Sequence, residues 1–138
     1  MKLTNTLSMK RKSGMTLLEL TVVILVLLSL ISILFIGARA WKKGSDRAAN
    51  ILNIRNVQQA MRAHTNVRGL AEGAALPNAD LIGTDKYLNS VTPPASTITY
   101  TGNYADVVTA VGVLYLDPSY TGTGATDYHP DAASYVEW

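Results

Sequence analysis

The sequence predicts an α+β fold: one long N-terminal α-helix, membrane-spanning in its first half, with a small antiparallel β-sheet head packed on its second half. Three observations lead there. Leu20 to Ile36 is apolar except for Thr21, Ser29 and Ser32. Arg47 to Arg68 sets an apolar face against a polar one and runs into Gly69. Beyond Gly69 the composition turns to Gly, Pro, Asn, Thr and Ser, with two segments of strand character.

At ~1.5 Å per helical residue, Leu20 to Ile36 spans roughly 25 Å. Met15 to Leu18 extend that to the ~30 Å of a bilayer's hydrocarbon core. Lys2, Lys10, Arg11 and Lys12 precede the run and favour a cytoplasmic N-terminus, while Arg39, Lys42 and Lys43 beyond it reduce the asymmetry. Ala38-Arg39-Ala40 also fits the small-x-small pattern that signal peptidase cuts, which would release a secreted or anchored binding module beginning at Trp41. A cleaved signal and a plain anchor both leave Glu19 without a purpose. A carboxylate at the head of an apolar run is costly unless it stays near headgroups, takes a proton or meets a cation.

Lys10-Arg11-Lys12-Ser13-Gly14 followed by Met15-Thr16-Leu17-Leu18-Glu19 and the apolar run resembles the N-terminus of type IV prepilins and type II secretion pseudopilins. In that family a short basic leader ends in glycine, and a glutamate stands at the fifth mature position. Met15 stands where phenylalanine is commonest, Ser13 separates the basic run from Gly14, and no proline interrupts Met15 to Pro77. The resemblance covers roughly Lys10 to Gly37.

It implies that a prepilin peptidase cuts after Gly14 and methylates the amine of Met15. It further implies an inner-membrane single-pass precursor with a cytoplasmic N-terminus. Pilus assembly machinery would then polymerise it into a helical homo-oligomer, an extracellular type IV pilus or, alternatively, a periplasmic secretion pseudopilus. The new α-amino group, with a reference pKa near ~8, is cationic at neutral pH. Pairing it with Glu19 of a neighbouring subunit would select register, because apolar side chains slide freely whereas an unpaired buried charge costs several kcal/mol.

Past Gly37 the helical pattern continues, and Gly44-Ser45-Asp46 either bends it or restarts it with Ser45 as N-cap. From Arg47 on, Ile54, Val57, Ala60 and Met61 project to one side, interrupted by Asn50 and Asn53. Arg55, Gln58, Gln59 and Arg62 project to the other and are expected to stay wet. Gly69 suits the position just past a helix end, with Leu70 as an apolar lock. A continuous helix from Met15 to Arg68 is about 80 Å long, so its outer half needs a cover that only the C-terminal part can supply.

Ala71 to Pro94 reads as a long loop with an apolar island at Leu81-Ile82 and a short element around Lys86 to Leu88. Thr97 to Thr101 and Val107 to Leu116 are the expected strands, the second with a bulge at Gly112 or else helical. Asp117 to Trp138 is turn-rich, with Tyr135, Val136 and Trp138 as anchors. The tyrosines from Tyr87 to Tyr135 are expected to fill core and rim. The organisation is thus a leader at 1–14, an assembly half at 15–37, an outer amphipathic half at 38–68, and a loop and β head at 69–138.

The net charge of +2 conceals a polarity. Between Ala38 and Arg68, seven cations face Asp46 alone, whereas from Gly69 onward Lys86 alone faces eight carboxylates. Such halves attract between copies of the chain or remain separately solvated. The absence of cysteine excludes disulfides and thiolate metal sites. His64 and His129 are isolated, and no nucleophile, phosphate-loop or metalloprotease motif occurs, which points to a non-enzyme without a cofactor or metal. Asp117, Asp127 and Asp131 match no EF-hand spacing and read as solvated turn residues. The basic helix raises nucleic-acid binding, but with that face covered and the exposed head acidic, no direct nucleic-acid contact is expected.

Overall fold

The computed structural model describes residues 16–138. Its main element is α1, Leu17–Arg68, followed by 3-10 turns at Asn78–Asp80, Ala125–Tyr128 and Ala132–Ser134 and by two short strands, β1 (Ile98–Thr99) and β2 (Ser119–Tyr120). The chain divides between Arg39 and Ala40 into two compact units.

In the first unit, sixteen large apolar side chains from Leu17 to Ile36 are between 44% and 81% exposed. Nothing within the described chain shields them, so this stretch is apolar on all sides. Its three hydroxyls are satisfied within the helix: Thr21 donates to the Leu18 carbonyl at 2.8 Å, Ser29 to Val26 at 2.7 Å and Ser32 to Leu28 at 2.8 Å. No polar side chain in the run therefore requires water. The helix is long and apolar enough to cross a membrane.

Gly44-Ser45-Asp46 does not restart the helix, since α1 runs through these residues without a break. Its end follows the local sequence. Gly69 adopts φ +65°, and the Leu70 N–H donates to the Thr65 carbonyl at 3.1 Å, the six-to-one bond of a Schellman stop. Leu70 then packs against the core, as an apolar lock should.

The second unit is built around one buried cluster that gathers Ile54, Val57 and Met61 with Leu76, Leu81, Ile98, Tyr100, Val108, Tyr115 and Leu116. The apolar island of the long loop thus belongs to the interior: Leu81 is fully buried, and Ile82 bridges Leu88.

Regular strand is scarce. β1 and β2 pair antiparallel, Ile98 opposite Tyr120 and Thr99 opposite Ser119. The expected strand Thr97 to Thr101 shrinks to two residues. The expected element Val107 to Leu116 forms neither strand nor helix; its strand-like pairing is confined to single bridges, Ala75 to Val107 and Tyr104 to Leu116. Instead β2 lies in the segment expected to be turn-rich. Gly112 sits at φ +80° in a turn, and a Cβ there would stand 3.2 Å from the carbonyl of the distant Val136. This turn reverses the chain where an extended strand would have continued.

Gln58 also departs from the expected pattern. It was assigned to the wet face, yet it is 2% exposed, while its neighbours Arg55 and Gln59 are exposed and Arg62 is half-buried. Among the tail anchors, Trp138 packs against the core, whereas the Val136 side chain is 59% exposed and only its backbone is engaged.

Candidate functional site

Glu19 lies in the first turn of α1 and is tied to Thr16, the residue before the helix. The Thr16 N–H donates to Glu19 Oε2 at 3.1 Å, and the Glu19 N–H donates to Thr16 Oγ1 at 3.3 Å. This reciprocal pair is a capping box, which satisfies two backbone donors that a helix start otherwise leaves open. Its negative charge also suits the positive end of the helix dipole. Sequence reading assigned Glu19 an assembly role and missed Thr16, although Thr16-Leu17-Leu18-Glu19 carries the Thr-x-x-Glu signature of the box. Among the described residues, Glu19 Oε1 has no protein partner. The processing residues Gly14 and Met15 lie outside the described residues.

The three tail aspartates do not converge. Asp127 Oδ2 meets Lys43 Nζ at 2.6 Å, Asp131 lies 3.7 Å from the Arg47 guanidinium, and Asp117 lies 3.1 Å from His129 Nε2. Each carboxylate has its own cationic or imidazole neighbour, and no group of three or more potential metal ligands gathers among the described residues. The hydrogen bond to Asp127 holds the Lys43 ammonium above its usual range, and the same bond holds the Asp127 carboxyl below its own. Both side chains are well exposed, so solvent screening keeps the pair's contribution to stability small. The basic middle and acidic end of the chain therefore meet within one molecule at these two contacts.

Polar side chains of α1 organise the interior of the head. Asn50, fully buried, accepts from the Tyr100 hydroxyl at 2.8 Å and donates to the Tyr120 hydroxyl at 3.0 Å and the Tyr128 carbonyl at 2.9 Å. Gln58 accepts the Tyr115 N–H at 2.8 Å and donates to the Val113 carbonyl at 3.1 Å. A buried amide needs this saturation, because each orphaned group costs about 1–3 kcal/mol. Periodicity could not reveal these two residues, since their partners lie far along the chain. His64 is a packing residue, buried with its ring edge-on to Tyr87 at 5.5 Å.

Fold and site together define a class: an α+β chain with one N-terminal helix of membrane-crossing length and a small antiparallel sheet. No family model, curated protein or solved structure matches the chain.

Proposed function

We propose that this chain is a prepilin, the precursor of a structural subunit of a type IV pilus filament. It is processed after Gly14, methylated on Met15, and assembled through its apolar helix with Glu19 paired to the amine of a neighbouring subunit. One observation carries the reading: a helix exposed on every apolar side begins with a carboxylate whose Oε1 is free of protein partners among the described residues. The cap uses Oε2, so capping and amine pairing are compatible on one side chain.

Such a helix needs lipid or other apolar helices around it, and the filament supplies the second where the inner membrane supplied the first. Trp41, 80% exposed beside Arg39 and Lys42, suits the headgroup boundary at the outer end of the span. Ile54, Val57 and Met61 share one buried cluster with residues after Gly69, which supports a head laid on the outer half of the helix. The subunit is a non-enzyme without a cofactor, and its partners are copies of itself, the prepilin peptidase and the assembly machinery.

The N-terminal residue of the mature protein tests the processing step: Met15 supports the proposal, and Trp41 replaces it with a binding module released after Ala40. Glu19→Ala should leave membrane insertion and leader removal intact while filament yield collapses. Normal yield would remove the pairing role. Dependence of an exoprotein's secretion on this subunit would assign it to a pseudopilus instead.

A further inference from the structure

Residues 122–138 are attached differently from the rest of the head. Among the described residues of this segment, only Pro130 is buried. Its backbone N–H groups from Asp127 onward are used in short local turns: Asp127 to Gly124, His129 to Thr126, Ser134 to Asp131, Tyr135 to Ala132 and Trp138 to Tyr135. The Thr121 N–H still donates to the Thr97 carbonyl at 2.9 Å and extends the β1–β2 pairing, so only the chain beyond Thr121 lifts without breaking a ladder; there the one longer-range backbone bond among the described residues is from the Gly112 N–H to the Trp138 carbonyl at 3.4 Å.

The links to α1 itself are mainly polar and charged, while Tyr128 and Trp138 also pack against the edge of the core. Asp127 binds Lys43 at 2.6 Å, Asp131 faces Arg47 at 3.7 Å, and the Tyr128 carbonyl accepts from Asn50 at 2.9 Å. At the far end the Arg55 guanidinium lies 5.3 Å over the Trp138 ring, and Arg62 donates to the Trp138 carbonyl at 3.1 Å. The contacts advance along both partners in the same direction, from Lys43 to Arg62 on α1 and from Asp127 to Trp138 on the segment.

Glycines stand where a hinge is needed. Gly122 and Gly124 adopt φ +97° and +71°, and a Cβ at Gly124 would lie 2.9 Å from Lys43 Nζ. The missing side chain thus admits the ammonium that holds the segment down.

We propose that residues 122–138 form a salt-releasable strap, an acidic and aromatic segment that closes over the cationic side of α1 and lifts from it as a unit while the buried core stays folded. Exposed ion pairs weaken as ionic strength rises, whereas apolar burial does not. Raised salt therefore loosens the strap and leaves the core in place. Release takes from Lys43, Arg47, Arg55 and Arg62 the partners they have in the segment, so the strap is an internal occupant of a surface suited to acidic segments. The inference does not depend on filament assembly.

Hydrogen exchange of the full chain in detergent micelles, read segment by segment, tests it. At about 1 M salt, where the screening length falls to ~3 Å, amides of 124–138 should exchange about tenfold faster. The core amides of Leu76, Ala105 and Tyr115 should hold their protection. Lys43→Glu should reproduce the effect at low salt, and Lys43→Glu with Asp127→Lys should restore protection. Strap and core opening together in high salt, or a strap indifferent to salt, overturns the proposal. The salt measurement uses the unaltered chain, so it decides the matter even if a variant misfolds.

Discussion

Gln58 and Tyr115 are joined inside the head by a 2.8 Å hydrogen bond from the Tyr115 N–H to Gln58 Oε1. Both residues are buried, Tyr115 completely and Gln58 to 2% exposure. The bond fastens the irregular chain after Gly112 to α1, and no strand ladder replaces it there.

Gln58→Leu keeps the volume and removes the acceptor, so the Tyr115 N–H is orphaned. The expected cost is about 1–3 kcal/mol, which lowers the melting temperature by about 4–8 °C per kcal/mol for a domain of this size. Thermal unfolding of the full chain in detergent checks this. An unchanged melting temperature would show that the amide does not organise the interior.

Glu19→Gln separates capping from charge. Glutamine serves the same box as glutamate, so helix content at the N-terminus should persist while filament yield falls sharply. Thr16→Ala does the reverse: it weakens the cap by about 0.5–2 kcal/mol and leaves the carboxylate available, so filaments should still form. Equal losses from both variants would mean that the carboxylate acts only as a cap.

The Lys43–Asp127 pair has a pH window. The folded Asp127 carboxyl is held below its unfolded value by its hydrogen bond to Lys43, then by the charges of Lys43 and Arg47. Its contribution is complete above the ordinary aspartate value near ~4 and is lost as pH falls through the folded value. Lys43, raised chiefly by its hydrogen bond to Asp127, contributes below the ordinary lysine value near ~10 and loses that contribution at higher pH. Protection of the 124–138 amides, taken relative to the intrinsic exchange rate at each pH, should accordingly be greatest between those limits and fall on the acid side. A flat profile down to the carboxylate range would contradict the pairing.

Tyr115 sets an alkaline limit. Burial pushes its phenol well above the tyrosine range, helped by Asp106, and its hydroxyl donates to the Leu76 carbonyl at 2.7 Å. A group raised in the folded state stabilises below its unfolded value near ~10 and ceases to do so as pH climbs through the folded one. Phenolate absorbance should show Tyr115 ionising only together with loss of tertiary structure, and Tyr115→Phe should remove that late step. Ionisation of every tyrosine in the ordinary range with the fold intact would refute it.

The parts legible from the sequence alone were those governed by neighbours three to five residues away. The apolar run, the stop at Gly69 and the Thr16–Glu19 box all follow from helical spacing and glycine conformation, whatever surrounds them. Tertiary structure decided what periodicity cannot encode: that Asn50 and Gln58 belong inside, that Val107 to Leu116 yields its strand role to Ser119–Tyr120, and that Asp127 and Asp131 find Lys43 and Arg47. The physical reason is the same each time. A polar side chain is buried only where distant groups complete its hydrogen bonds, and a two-residue strand holds only where packing against an existing core replaces the ladder it lacks.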